Sequence, residues 1–427
     1  MKHKHIRHKK KFNRKVTVLV AFLIVLVLAA DIGIYFYFNK KDTRTSIHPF
    51  AATYSEKSCR VYYPDTEKGL TKAKEICAQN TSEDGEYDFK LIKKGDYYIV
   101  DYGIGDTFYI DSDHKDLVLN KIEDSEESRK LIADNLRYNM KKDEIDEAYT
   151  SKYLYDTYYE NIDLSNVDYS VDEENLYMYF KDYDYTLSLP LGYVQKYLNM
   201  NFGFEDLEYT ERIHYVSPNR PVICFTFDDG PNVKESNPTS KNIVKNLDTY
   251  DSDATFFVIG SRLYNKTFDL INESVLRGNE YGSHTQSHSD ITTLSTEDAI
   301  NDIMIPYYDL KNNCDYEIKY FRPPYGSYTK DILNATKLKC ILWNVDSLDW
   351  KLRLQDDEDK AVEDVYNQVM RTAKENKIIL FHDIYKVSEL ASKKIMISLI
   401  DEGYQIVNVS ELTESLDLTD YKMFGGY

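Results

Sequence analysis

Ile223-Cys224-Phe225-Thr226-Phe227-Asp228-Asp229-Gly230-Pro231 is the stretch around which the rest of the chain is arranged. Its apolar, β-branched and aromatic residues make a run of strand length, and Gly230-Pro231 stops it. Two adjacent carboxylates at the end of a buried strand are costly, because like charge and desolvation both disfavour ionisation. A nearby cation, metal or side chain, offsets that cost. A solvated Asp-Gly turn is the competing reading of the stretch taken alone.

Outward from it, from about residue 215, short apolar runs alternate with segments of helical length. Runs at 222–227, 254–259, 280–283, 320–322, 340–345, 378–381 and 405–409 are separated by helical stretches near 240–250, 263–277, 296–312, 329–337, 362–375 and 388–402. This alternation implies βαβ units and a parallel sheet. Seven repeats in roughly 200 residues predict a distorted (β/α) barrel, somewhat short of a full eight. In such a barrel the carboxyl ends of all strands open onto one face, where active sites are built.

Five of these runs end in polar groups. Asp228 and Asp229 end the first, and His284 and His288 follow the third. Arg322 and Tyr325 follow the fourth, Asp346, Asp349 and Trp350 the fifth, and His382 the sixth. Packing does not account for charged and imidazole groups at five strand ends. Asp229, His284 and His288 supply one carboxylate and two imidazoles, a three-ligand set that leaves coordination open for water and substrate, as catalytic zinc sites do. The four-residue spacing of the imidazoles predicts one helical turn presenting both on one face. Asp228 is then the candidate base and Arg322 the cation that keeps it ionised. His382 is the candidate acid, and Asp349 beside it raises its pKa.

Thr-Phe-Asp-Asp-Gly-Pro (226–231), His-Thr-Gln-Ser-His (284–288), Arg-Pro-Pro-Tyr-Gly (322–326), Asp-Ser-Leu-Asp-Trp (346–350) and Leu-Phe-His-Asp (380–383) occur in order. Together they resemble the five motifs of the polysaccharide deacetylases, carbohydrate esterase family 4, also called the NodB homology domain. The resemblance covers residues 218–415. It implies Asp228 as general base, Asp229, His284 and His288 as ligands of one divalent ion (zinc, with cobalt, nickel or manganese as alternatives), and Arg322 orienting the base. It also implies His382 as general acid tuned by Asp349, and the Tyr325 N–H as an oxyanion donor. Trp350 and Leu380 would wall the acetyl pocket. The expected reaction is hydrolysis of N-acetyl groups of N-acetylglucosamine residues in cell-wall peptidoglycan. Chitin-like polymers, poly-N-acetylglucosamine and acetylated xylan are alternative substrates, and a non-enzymatic wall-glycan binder is the alternative of another class. The charged stretch Leu352–Asp359 is expected to lengthen one rim of the groove, and Tyr328 stands where many relatives have a small or amide residue.

The remainder of the chain sets the compartment. Residues 1–15 carry eight Lys or Arg and no acid, leaving a net charge of -27 on the rest of a chain whose total is -19. Such a body is not drawn to nucleic acid or anionic lipid. Val16–Phe38, 23 residues with a single formal charge at Asp31, is long enough to span a bilayer. The basic flank predicts a single-pass anchor in the cell membrane with the catalytic domain outside, against the alternative of a cleaved signal peptide. Residues 39–210 read as an extracellular α+β spacer or binding region, with a helix at 125–140 and a hairpin around 172–175. Residues 416–427 read as a tail. The whole order of anchor, spacer and catalytic domain resembles that of membrane-anchored peptidoglycan N-acetylglucosamine deacetylases. Five cysteines are too few for a disulfide scaffold. Cys59 with Cys77 or Cys314 with Cys340 are the possible pairs, against buried free thiols.

Overall fold

In the computed structural model the described residues are 52–56, 59–63, 70, 71, 73, 74, 77, 78, 87–94, 97–101, 107–110 and 122–426, less 172–174, 199–204, 210 and 419–420. The segment expected to be an anchor lies outside them. Among the described residues no helix is long and apolar enough to cross a membrane. The chain divides into two compact units: residues up to 106, less 94–97, and residues from Thr107 onward together with 94–97.

The first unit holds β1 (Ala52–Glu56), β2 (Cys59–Tyr63) and β3 (Tyr87–Lys94), with β1 antiparallel and β3 parallel to β2. Strands β4 (Tyr97–Asp101) and β5 (Thr107–Ile110) follow. Cys77 is disulfide-bonded, whereas Cys224, Cys314 and Cys340 are free thiols, so the Cys314–Cys340 pairing does not form.

The second unit begins with α1 (Glu126–Lys142), capped by the Ser125 hydroxyl accepting from the Ser128 N–H. Ile132, Leu136 and Met140, spaced by four, share its buried face. They belong to one apolar cluster with α2 (Ser151–Asp156) and with the antiparallel sheet of β6 (Val167–Val171), β7 (Asn175–Phe180) and β8 (Tyr185–Pro190). The same cluster continues without a break into the helices around the large sheet. Residues 122–209 are thus built into the unit that carries the five motifs, and the expected boundary near 210–218 separates no compact units.

The large sheet is all parallel. Its strands are β9 (Val222–Asp228), β10 (Ala254–Val258), β11 (Glu280–Ser283), β12 (Tyr320–Phe321), β13 (Lys339–Ile341), β14 (Val345–Asp346), β15 (Ile378–His382), β16 (Gln405–Val407) and β17 (Met423–Phe424). The order is β14-β15-β9-β10-β11-β12-β13-β17, with β16 also on β9. The sheet is curled: its opposite sides, β13 and β14, are separated by only residues 342–344 of chain. The helices between strands are α3 (Thr239–Thr249), α4 (Asn265–Leu276), α5 (Thr296–Cys314), α6 (Lys330–Ala335), α7 (Asp349–Leu352), α8 (Glu358–Met370), α9 (Lys386–Asp401) and α10 (Val409–Ser415). β17, which pairs with β13, lies in the residues expected to form a tail.

Side chains alternate across β9. Phe225 and Phe227 pack with Phe381, Phe256 and Tyr281 beneath the helices, with ring centroids 5.1–5.4 Å apart. Val222 and Cys224 belong to a second cluster with Phe257, Tyr320, Ile341, Ile378 and Val407. Burying each such aromatic stabilises the fold by about 1.5–3 kcal/mol. The second cluster shares Phe257 and Trp343 with the Arg322 guanidinium, which lies 4.3 and 5.7 Å from their rings.

Candidate active site

Register brings the chemistry together. Asp228 ends β9 and pairs with His382 on one side and Phe257 on the other. The next residue, Asp229, breaks the strand at φ 73. Gly230 must lack a side chain, because a Cβ there would overlap the Asp383 carboxylate.

Asp228 is buried and accepts from Arg322 Nη1 at 2.8 Å. Arg322 is fully buried and fixed on every side. Nη1 also donates to Thr226 Oγ1 at 2.9 Å, Nε to the Ile341 carbonyl and Nη2 to the Leu342 carbonyl, each at 3.1 Å. A guanidinium held this way keeps its fork aimed at the carboxylate.

Asp229 Oδ1 lies 3.5 Å from His284 Nε2 and 3.2 Å from His288 Nε2. His284 Nδ1 is 2.8 Å from the Arg322 carbonyl, so it carries the proton and donates, leaving Nε2 to face the aspartates. The two imidazoles converge, 5.1 Å between centroids, but not from a helical turn. Residues 284–288 form a loop in which Thr285 and His288 adopt φ 67 and 56, and the Thr285 hydroxyl accepts from the His288 N–H. A helix cannot pass through these left-handed conformations, so the expected turn is replaced by a bend that reaches the same convergence.

The donor set fits a divalent ion. One ligand atom each from Asp229, His284 and His288 lies within 4.8 Å of the others. Asp229 Oδ1 is buried with no aligned hydrogen-bond donor. Burial alone would raise the Asp229 pKa, but His288, then His284 and His382, outweigh it and bring it to about 2. Burial pulls His284 down, opposing the two aspartates, which favours the neutral imidazole a ligand needs.

His382 faces this group from β15. Its Nδ1 is 2.8 Å from Asp349 Oδ1, and its backbone N–H donates to Asp349 Oδ2 at 2.7 Å. Asp349 is fully buried and also accepts from Ser388 Oγ at 2.5 Å and the Trp350 N–H at 2.7 Å. Burial would lower the His382 pKa, yet the Asp349 charge and hydrogen bond raise it to about 9. Tyr325 sits at φ 61 and ψ 6 with its hydroxyl 3.4 Å from His288 Nδ1, and its ring is exposed. Trp350 is exposed at the rim, and Leu380, opposite Thr226 in register, is buried.

Three supporting residues were given no role in the sequence reading. Thr226 had a signal, since it lies two residues before Asp228 on the same face of β9. Ser388, on α9, had none. Asp383 directly follows His382: its N–H donates to the Asp228 carbonyl at 3.2 Å and its Oδ2 accepts from Ser240 Oγ at 2.6 Å. Burial pushes the Asp383 carboxyl up to about 7.

Comparison with known proteins identifies the family. Residues 215–339 match the family model for polysaccharide deacetylase. The chain is 38% identical over 199 residues to the peptidoglycan-N-acetylmuramic acid deacetylase PdaC of Bacillus subtilis, covering 47% of this chain and 40% of that protein. It is 33% identical over 222 residues to a peptidoglycan-N-acetylglucosamine deacetylase of Bacillus cereus, covering 49% of this chain and 96% of that protein. A solved structure of peptidoglycan deacetylase PdaC from Bacillus subtilis aligns at 36% identity and a TM-score of 0.43, covering 47% of this chain and 94% of that chain. The chain thus matches less than half the length of the first of these relatives.

Proposed function

The chain belongs to the polysaccharide deacetylase family, and from that premise we propose that it hydrolyses N-acetyl groups on the amino sugars of cell-wall peptidoglycan, releasing acetate. The observation that carries this reading is the placement of two paired groups side by side at the ends of neighbouring strands. A carboxylate held by a guanidinium, Asp228 with Arg322, stands beside an imidazole raised by a carboxylate, His382 with Asp349. A carboxylate held beside a guanidinium and an imidazole raised by its own carboxylate suit the base and the acid of amide hydrolysis.

A divalent ion held by Asp229, His284 and His288, zinc by the character of the donors, would polarise the amide carbonyl and the attacking water. Asp228, held in place by Arg322, takes the proton as the water oxygen bonds to the carbonyl carbon. The C–N bond then breaks, and protonated His382 delivers its proton to the leaving amine. The Tyr325 N–H is assigned to the oxyanion, a contribution of about 2.7–4 kcal/mol in comparable sites. Trp350 and Leu380 are assigned to the wall around the acetyl methyl.

N-acetylglucosamine is the first choice of sugar. The name of the Bacillus subtilis relative supports N-acetylmuramic acid as a second. The reading extends to location: an anchor at 16–38 with the catalytic unit outside the cell is consistent with the disulfide at Cys77, since such bonds persist in oxidising compartments.

Mass spectrometry of wall muropeptides from cells with and without the protein, and with Asp228→Asn, tests the proposal. The expected result is loss of acetyl from glucosamine only where the active chain is present. Loss from muramic acid selects the second reading. Acetate release from chitooligosaccharide or acetylated xylan but not from wall glycan would sink both.

A further inference from the structure

The rim beside His382 carries a cation that the proposed chemistry does not use. Leaving α7, the chain exposes Trp350, Lys351, Arg353 and Leu354, with Leu354 69% accessible. The Arg353 guanidinium lies 4.2 Å from the centroid of the Tyr385 ring. That ring is itself 5.9 Å from the His382 imidazole. Among the described residues Arg353 has no carboxylate partner. The acidic run that follows does not supply one, because Asp357 caps α8 through the Lys360 N–H and Glu358 and Asp359 form its first turn. The charged stretch expected to lengthen one rim therefore presents a cation beside His382.

An aromatic face holds an arginine in place while leaving the edge of its fork open. That edge matches a carboxylate with two parallel hydrogen bonds. Polymers of N-acetylglucosamine offer only hydroxyls and amides. A glycan strand stripped of its peptides adds one anion per disaccharide, the lactyl carboxylate of its muramyl residue. A chain of net charge -19 repels such a strand at a distance, so its capture calls for a local cation.

We propose that Arg353 is a specificity-determining residue that binds the lactyl carboxylate of a peptide-free muramyl residue at the cleft, favouring wall glycan over homopolymers of N-acetylglucosamine. This rests on the wall-glycan reading above. The test compares the full chain with Arg353→Gln and Arg353→Lys on amidase-stripped wall strands and on chitopentaose, following acetate release. Arg353→Gln should raise KM on stripped strands about fivefold, the scale of an exposed ion pair. Its kcat on strands and its KM on chitopentaose should stay unchanged, Arg353→Lys should recover part of the loss, and high salt should erase the preference of the unmodified chain. An equal rise in KM on both substrates, or none on either, overturns the inference alone. An unmodified chain that acts on chitopentaose and not on wall strands overturns the inference together with the reading it rests on.

Discussion

The strands of the large sheet carry a buried group of charges at each end. At the carboxyl ends, Asp229, His284 and His288 face one another, and Asp229 Oδ1 has no aligned donor. At the amino ends, His214, Asp253 and Glu411 come equally close, with His214 Nδ1 at 2.8 Å from a carboxylate oxygen of each. By residue type either trio suits a metal. Their surroundings separate them. Arg212 pairs with both Asp251 and Asp253, and Lys141 reaches Asp251 at 2.6 Å. Arg277 bridges Asp134 of α1 and Asp248, both at 2.7 Å. Lysine and arginine already pair with the lower aspartates and His214 with Glu411, so a divalent ion would meet positive charge there. Among the described residues Asp229 pairs with His284 and His288 and with no lysine or arginine, and Arg322 is committed to Asp228. The lesson is that ligand-type residues mark a metal site only where the protein has left their charge unanswered.

The sharpest way to break this contrast is to remove one group from each end. Asp228→Asn should lower kcat by about 10²–10⁴-fold, the scale of a lost general base, with the unfolding midpoint nearly kept. At the other end Arg212→Met, which leaves buried Asp251 to Lys141 and Asp253 to His214 alone, should cost about 3–5 kcal/mol in urea unfolding with acetate release per folded molecule unchanged. A catalytic defect from Arg212→Met without loss of stability would show that the lower group takes part in the chemistry.

Metal addition draws the contrast next. Zinc at a hundredfold excess over its Kd should stabilise the chelator-stripped protein by about 2.7 kcal/mol, read as a shift in thermal midpoint. His284→Gln should abolish the shift and His214→Gln should keep it. The opposite pattern would exchange the roles of the two ends.

The smallest effect is in pH dependence. Burial opposes the charge on both His214 and His382, but neighbouring carboxylates raise the first to about 10 and the second to about 9. A histidine raised on folding gives stability that is full below its ordinary 6.5 and fades as pH rises through the folded value. Stability should therefore decline towards pH 10, a decline that His214→Gln flattens. The alkaline limb of kcat should fall near pH 9, and Asp349→Asn should draw it down towards 6.5. A kcat limb that moves with His214→Gln instead would join what the structure separates.

The upper group was largely legible in the sequence and the lower one was not. Asp228, His284, Arg322, Asp349 and His382 stand directly at or after apolar runs, and a parallel sheet must deliver such residues to one face. Asp134 and Arg277 are separated by 143 residues and sit in or after helices whose relative placement no local pattern encodes. Integration of residues 122–209 was hidden for that reason, although the helix starting at Ser125 and the hairpin were read from caps and alternation. The bend at 284–288 escaped because spacing fixes which residues can meet, not the backbone path between them. The strand at 423–424 was too short to carry a period.

Arg322 takes part twice. Its guanidinium holds Asp228, and its carbonyl accepts from the Nδ1 of His284. Its own N–H donates to the Ser283 carbonyl at 2.8 Å, tying the end of β12 to β11. The proton acceptor and one of the candidate ligands thus share a single mechanical ground. A displacement of that residue therefore moves both together. Arg322→Lys would release the acceptor and spare the ligand, because only the backbone anchors the histidine; a change that moves the backbone at Pro323 would detune both at once.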